Sequence, residues 1–228
     1  MKHGKKYNES LKLVDQKKRY EAKEACDLAK QTAKTKYDST IRVAIKLNVD
    51  PKQADQQIRG ALVLPNGTGK TQKVLVVTSG AKEDEAKNAG ADFVGGKEIC
   101  DKIKGGWLDF DVLVATPDMM GELGKLGKIL GPKGLMPNPK TGTVTMNIAQ
   151  AVTDVKKGKI EYRVDAAGNI NVNIGKASFS ADALADNYNT LFNAIAKARP
   201  SSVKGAYIQN VSISADMGPG IKVAYSVE

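Results

Sequence analysis

A possible phosphate-binding loop stands at residues 67–71, which read GTGKT. In such a loop, glycines expose backbone N–H groups to phosphate and a lysine neutralises its charge. The full pattern needs a glycine five residues before Gly69, where this chain has Leu64, and a following helix, where residues 74–77 predict a strand. A nucleotide-binding enzyme therefore stays only an alternative, which stabilisation of the protein by a nucleoside triphosphate would reveal.

General acid–base catalysis has little support. The single histidine, His3, lies in a basic N-terminal segment that we expect to be mobile. Residues 83–85 are acidic but predicted on the outer side of a helix, and Asp109 and Asp111 flank the start of a strand, where solvated faces or caps are common. The two cysteines lack the spacing of a metal site or a disulfide framework. We predict no catalytic residue, no metal and no cofactor.

The charge points instead to a polyanionic partner. The 228 residues include 35 Lys and Arg against 25 Asp and Glu, a net charge of +10, to which residues 1–66 contribute +7, residues 67–159 +3 and residues 160–228 zero. This excess predicts a basic N-terminal arm along phosphates, although a solvated tail would have the same composition. Cations of the arm include Lys2, Lys5 and Lys6. We find no apolar run that could span a membrane or form a signal peptide, so we expect a cytoplasmic protein.

The two ends of the chain are predicted to contain the same kinds of secondary structure, amphipathic helices and strands with one polar side. Apolar spacing predicts amphipathic helices at residues 22–33 and after Ser180, and a short helix from Asp50 to near Gly60. Alternation predicts strands with one polar side at residues 40–47, 160–164, 170–174, 211–215 and 221–225, the second and third of these forming a hairpin, and a short apolar run predicts a strand at 61–64.

The middle of the chain is different. Residues 74–77, 92–94 and 112–115 are continuously apolar, which is typical of a parallel sheet covered on both faces. We predict an α/β (α+β) fold with two domains. Residues 1–66 plus 160–228 form a mixed antiparallel-sheet-plus-helices domain, and residues 67–159 form an inserted three-layer α/β Rossmann-like domain. The predicted hinge residues at the two crossings are Pro65, Gly67 and Gly158.

Residues 116–143, TPDMMGELGKLGKILGPKGLMPNPKTGT, closely resemble the signature of the family of the first large-subunit ribosomal protein. Further matches occur in order along nearly the whole chain: KHGKKY, KYDSTIRV, DPKQADQQIRG, GADFVGG and GKASF. The resemblance implies a mixed domain made from both chain ends, with a three-layered domain inserted between them.

The resemblance also implies a function. In the family, the first domain grips a folded element of large-subunit ribosomal RNA and forms a mobile stalk beside the exit site, which helps deacylated tRNA to leave. Bacterial members also repress translation of their own mRNA by binding a similar structure. The implied partners are ribosomal RNA, exit-site tRNA, the chain's own mRNA and the ribosome. We expect a monomer when free, without enzymatic activity. A general nucleic-acid chaperone, with little preference among RNAs, remains the second alternative.

Carried over by position, the resemblance implies a set of RNA contacts in which Lys can neutralise phosphate and hydroxyls can meet phosphate or ribose. Tyr37 can stack on a base or merely pack. The family usually has Thr at the position of Asp216, and we hypothesise that Asp216 either accepts hydrogen bonds from a guanine edge or ribose hydroxyl, or turns away. With Arg163 included, the set is Lys36, Tyr37, Thr40, Arg163, Lys176, Ser178, Asp216, Met217 and Gly218.

The Gly/Pro-rich basic stretch is the second candidate RNA surface, with Lys125, Lys128, Lys133 and Lys140. Long loops of this kind are often functional, but glycines and prolines serve a tight, ordered turn equally well. We favour weaker, transient contacts with tRNA. Deletion of residues 133–140 is then expected to leave binding of ribosomal RNA nearly intact.

Overall fold

A computed structural model of the protein describes residues 3–80 and 82–225. Among those residues, no helix combines the length and the apolar composition needed to cross a bilayer. Short 3₁₀ turns occupy Ala54–Gln56, Pro117–Met119 and Pro139–Thr141. In chain order the helices and strands are α1 (Lys5–Leu11), α2 (Ala22–Thr32), β1 (Thr40–Leu47), β2 (Arg59–Val63), β3 (Val74–Val77), α3 (Lys82–Asn88), β4 (Phe93–Gly95), α4 (Lys97–Lys104), β5 (Val112–Ala115), α5 (Met120–Lys125), α6 (Gly127–Leu130), α7 (Ile148–Lys156), β6 (Lys159–Arg163), β7 (Asn169–Lys176), α8 (Ala181–Lys197), β8 (Ile208–Ala215) and β9 (Ile221–Lys222).

These elements form two compact units. Unit 1 combines the residues up to Gly69 with those from Ile160 onward, and unit 2 spans Lys70–Lys159. Unit 1 contains an antiparallel sheet and unit 2 a parallel one. The predicted fold class, α/β (α+β) with both kinds of sheet, is confirmed.

The main sheet of unit 1 has the strand order β7-β1-β8-β9, and its neighbouring strands are antiparallel. Alternate residues of β1, such as Ile41, Val43 and Ile45, are buried beneath α2 and α8 because β-branched side chains pack well on a pleated surface. Helix α8 begins where the hydroxyl of Ser180 accepts a hydrogen bond from the Ala183 N–H at 3.2 Å. Cys26 of α2 faces the same core, and burial raises the pKa of its thiol to about 12.

The N-terminal segment is more structured than predicted. Residues 5–11 form α1, and the ring of His3 stacks on that of Tyr7 at 4.3 Å between ring centroids. Tyr20 then extends the sheet beyond β9: its N–H donates to the Lys222 carbonyl at 3.0 Å, and its carbonyl accepts from the Ala224 N–H at 2.8 Å. Residues 5–20 are therefore not a free tail, whereas their contact with phosphates stays a prediction, and Lys2 lies outside the described residues.

Two local predictions in unit 1 are wrong. The helix expected from Asp50 to near Gly60 is only the 3₁₀ turn, because the side chain of Gln56 bonds back to the Asp50 N–H at 2.8 Å and Gly60 already belongs to β2. The predicted hairpin keeps its turn, with the Asp165 N–H bonded to the Asn169 carbonyl at 2.8 Å. Its strands diverge, however, since β6 pairs with β2 while β7 pairs with β1.

Unit 2 contains three parallel strands in the order β4-β3-β5. Leu75 and Val77 of β3 pack against the cluster that includes α4 and α5, and Val74 and Val76 pack against α3 and α7. Both faces are thus covered, as continuous apolar strands predict. Asn147 caps α7 by accepting a hydrogen bond from the Gln150 N–H at 3.3 Å.

Candidate nucleic-acid interface

The residues that first suggested phosphate or acid chemistry are engaged in ion pairs. Lys70 of the GTGKT segment lies 2.8 Å from an Asp111 carboxylate oxygen, and this hydrogen bond holds the pKa of Asp111 below its usual value. Lys73 pairs with Asp109 at 2.7 Å. Strand β3, not a helix, follows the segment. Within residues 3–80 and 82–225, no group of three His, Cys, Asp or Glu side chains could hold a metal ion.

A different surface emerges on unit 1. The buried side of its main sheet faces α2 and α8, so the alternate side chains project from the opposite side. We call this side the open face. Its cross-strand register places amides and hydroxyls beside cations, with four cations against one carboxylate. The open face comprises Thr40, Arg42, Ala44, Lys46, Asn169, Asn171, Asn173, Lys176, Asn210, Ser212, Ser214, Asp216 and Lys222.

Three predicted contacts meet at one end of the open face. Lys176 is the register partner of Thr40, and its ammonium donates to the Thr40 hydroxyl at 3.2 Å and to the Asp38 carbonyl at 3.3 Å. On the other side of Thr40, the Asp216 N–H donates to the Thr40 carbonyl at 3.0 Å. Lys176, Thr40 and Asp216 therefore form one row across β7, β1 and the end of β8.

The segment before β1 joins this end of the sheet. Ser178 uses its N–H and its hydroxyl to bond the Asp38 carboxylate, at 3.1 and 2.8 Å. Lys36 is exposed, and Tyr37 keeps 56% of its surface exposed, so its ring is not part of the core. An exposed tyrosine beside lysines is suited to stacking on a base.

The turn after β8 presents Met217 in an unusual way. Its φ of 62° lies in the left-handed region, and 82% of its surface is exposed. A non-glycine residue in that region costs on the order of 1–3 kcal/mol. The turn is closed by a hydrogen bond from the Gly218 N–H to the Ala215 carbonyl at 2.9 Å. A Cβ at Gly218 would lie 3.2 Å from that carbonyl oxygen, which leaves little space for a larger residue.

Asp216 is occupied by protein groups in this structure. One carboxylate oxygen accepts from the Thr40 N–H at 3.2 Å, and the other lies 3.0 Å from Nε of Arg42. Only 20% of the side chain is exposed. Of the two hypotheses for Asp216, this geometry resembles the one in which the carboxylate turns away from RNA.

Sequence reasoning left several residues of the open face out of the candidate set. Arg42 and Lys46 lie on the polar side of the strand predicted at residues 40–47, but isolated cations on a strand are ordinary surface residues. The asparagines Asn171 and Asn173 carried no signal of their own. Their period-two spacing, matched on three strands, is the signal that would have found them.

Other predicted contacts lie elsewhere. Arg163 ends β6, which belongs to the separate β2-β6 sheet. Lys5 and Lys6 are exposed on α1, where the Lys6 ammonium reaches the Lys34 carbonyl at 3.5 Å. The structure does not place these three residues on the open face.

The Gly/Pro-rich stretch of unit 2 is an ordered turn. Asn138 organises it: its side chain accepts from the Lys140 N–H at 2.8 Å, and its own N–H donates to the Thr143 hydroxyl at 2.8 Å. Lys125 pairs with Glu122 at 3.0 Å, and the pair lowers the pKa of Glu122. Lys128, Lys133 and Lys140 are exposed.

The first crossing between the units is held by Asn187 of α8, which is fully buried. Its amide donates to the Ile174 carbonyl at 2.7 Å and to the Gly67 carbonyl at 3.0 Å, and it accepts from the Asn66 N–H at 3.1 Å. The predicted hinge residue Gly67 is therefore tied to unit 1. At the second crossing, Gly158 has a φ of 96° and closes the end of α7.

The family model described as the Ribosomal protein L1p/L10e family matches residues 29–219. Candidate residues from Lys36 to Gly218 fall within the match, whereas Lys2, Lys5 and Lys6 fall outside it.

Proposed function

Because the chain belongs to the Ribosomal protein L1p/L10e family, we propose that unit 1 binds a folded element of large-subunit ribosomal RNA through the open face and the adjoining turn at Met217. The protein is a ribosomal protein of the large subunit that binds ribosomal RNA, and its role is structural rather than enzymatic. The proposed RNA-binding domain is unit 1, which extends at the first crossing to Gly69 rather than to the predicted residue 66, and unit 2 is the inserted domain.

The open face is the observation that carries this proposal. One side of a four-stranded sheet has no helix packed on it in the described structure, and it displays hydrogen-bonding side chains on every strand. Amides and hydroxyls can meet bases and ribose, while the cations on β1, β7 and β9 can meet phosphates. Polar side chains are ordinary on the solvated face of an antiparallel sheet, so the excess of four cations over one carboxylate is the feature that favours a polyanionic ligand.

The turn adds a second kind of contact. Met217 combines a strained backbone with an exposed apolar side chain, two costs that binding can offset. Tyr37 is exposed near the same end of the sheet. A folded RNA element offers an unstacked base to an aromatic ring and a sugar face to a thioether.

The finer roles follow from the family. We propose that the complex forms the mobile stalk beside the exit site, assists release of deacylated tRNA, and represses translation of the chain's own mRNA. The exposed Lys128, Lys133 and Lys140 would make the weaker contacts with tRNA, with Pro65, Gly67 and Gly158 as hinge residues.

Competition at fixed salt tests the proposal. A labelled fragment of the large-subunit stalk RNA is bound to the full chain, and unlabelled stalk RNA is compared with bulk tRNA and with unrelated RNA of equal length. We expect the stalk fragment to compete at least a hundredfold better, since specific sites typically exceed non-specific ones by a thousandfold or more. Equal competition by all three RNAs would instead identify a general nucleic-acid chaperone.

A further inference from the structure

Arg42 is presented on the open face by the carboxylate of Asp216. Its Nε lies 3.0 Å from an Asp216 oxygen, and 57% of the Arg42 side chain is exposed. The structure records no hydrogen bond from either terminal guanidinium nitrogen to any residue in the described ranges. Those two nitrogens therefore remain available to a ligand above the sheet.

Asp216 is itself fixed. Its second oxygen accepts from the Thr40 N–H at 3.2 Å, and its own N–H donates to the Thr40 carbonyl at 3.0 Å. The carboxylate is thus anchored to the backbone of β1 before it meets Arg42. A long side chain held in this way loses less conformational freedom when a ligand binds.

The neighbours of Arg42 identify the kind of ligand. In the register, Arg42 lies between Asn173 of β7 and Ser214 of β8, an amide and a hydroxyl. The adjacent Asp216 offsets the charge of Arg42, which weakens its attraction for phosphate but leaves its paired donors intact. Two parallel donors beside neutral polar groups match a base edge with two acceptors, and the Hoogsteen edge of guanine, O6 with N7, is the usual partner of such a fork.

We propose that Arg42 reads an unstacked guanine of the bound RNA, and that Asp216 is the positioning residue that orients Arg42 for this contact. The inference rests on the proposed function and adds a specificity-determining residue to it. Thr at position 216 offers no carboxylate, so this arrangement belongs to the present chain rather than to the resemblance.

The test uses the stalk RNA fragment transcribed with guanosine or with 7-deazaguanosine, which lacks the N7 acceptor but keeps Watson–Crick pairing. Dissociation constants for both RNAs are measured with the full chain. We expect the unmodified chain to prefer the guanosine RNA by roughly five- to a hundredfold, the range for one bidentate contact. Arg42→Met, which has a side chain of similar length but no hydrogen-bond donor, should abolish the preference, and Asp216→Thr should reduce it at least threefold.

A double-mutant cycle separates positioning from a direct effect. If Asp216 acts through Arg42, then Asp216→Thr should not change the preference for guanosine RNA further in the Arg42→Met background. Asp216→Asn supplies one acceptor where two are used, so it should give an intermediate preference. Lys222→Gln is the matched control: this exposed cation lies at the far side of the open face, and its loss should weaken both RNAs equally.

Several outcomes would overturn the inference. A preference for guanosine RNA retained in Arg42→Met contradicts the role of Arg42, and an undiminished effect of Asp216→Thr in that background contradicts the role of Asp216 as its positioning residue. Equal weakening of both RNAs by Arg42→Met would identify a phosphate contact instead. If the unmodified chain binds stalk RNA specifically but has equal affinity for the guanosine and the 7-deazaguanosine forms, only this inference fails. If the chain shows no specificity for stalk RNA, the proposed function fails.

Discussion

The two sheets of the molecule differ in how many of their faces are covered by helices. In unit 2, helices cover both faces of the parallel sheet, and β3 is buried along its whole length. In unit 1, helices cover one face of the antiparallel sheet, and β1 alternates between buried and accessible residues. A sheet covered twice gains core but offers a ligand nothing except its edges. A sheet covered once gives up part of that core and keeps a flat, regular surface.

This difference in helix coverage indicates which sheet has a surface for binding RNA. Charge alone does not separate the regions, because exposed lysines occur in both units. Cross-strand register does, since it fixes the spacing of polar groups on the open face of unit 1 to that of the strands. We therefore expect the stability of unit 2 and the RNA affinity of unit 1 to respond to different substitutions.

The largest expected effect is on stability. Leu113→Ala in β5 removes a side chain that is 2% exposed, and the cavity should lower the free energy of unfolding of unit 2 by about 2–5 kcal/mol. Thermal unfolding of the full chain should show the change, while affinity for the stalk RNA stays within twofold. A matching loss of RNA affinity would contradict the separation of roles between the two sheets.

A smaller effect is expected at the exposed turn. Met217→Gly should keep the free energy of unfolding within about 1 kcal/mol, because glycine adopts a φ of 62° without strain. Loss of the apolar contact should weaken binding of stalk RNA about tenfold, and Met217→Ala should weaken it similarly, as titration of both variants would measure. The control is Met146→Ala in unit 2, also exposed. Equal effects at both methionines would mean that exposure, not location, matters.

The smallest effect compares single lysines. Lys222→Gln on the open face should weaken binding of stalk RNA about threefold and reduce the slope of log affinity against log salt by about 1. Lys133→Gln in unit 2 should leave both quantities unchanged. Point substitution is the cleaner test, because deletion of residues 133–140 would also remove Asn138 and its hydrogen bonds. Identical slopes for both variants would contradict the assignment of RNA binding to the open face of unit 1.

The sequence predicts most elements because local patterns dominate there. Strand β1 begins and ends as its alternation predicts, and β3 and β5 match their apolar runs. The helix predicted after Ser180 begins there, since the Ser180 side chain bonds an N–H group only three residues away. Where the structure depends on a distant partner, prediction weakens: β6 leaves its predicted hairpin to pair with β2.

The site shows the same limit. Types of residue and the family resemblance indicated Thr40, Lys176 and Asp216 individually. Their meeting in one row depends on contacts between residues 136 and 176 positions apart in sequence. No local pattern encodes that register, and none revealed that both oxygens of Asp216 already have partners.

The basic N-terminal segment also has a structural role, because Tyr20 pairs with the edge of the main sheet of unit 1. Strand β9 is the last and shortest strand of its sheet, and an uncovered strand edge invites pairing with a second chain. Through its two backbone hydrogen bonds, Tyr20 occupies that edge. Removing the first twenty residues in order to remove their lysines would therefore also leave this strand edge unpaired. An unpaired edge promotes aggregation, so a loss of soluble protein in such a variant would not measure a loss of RNA affinity.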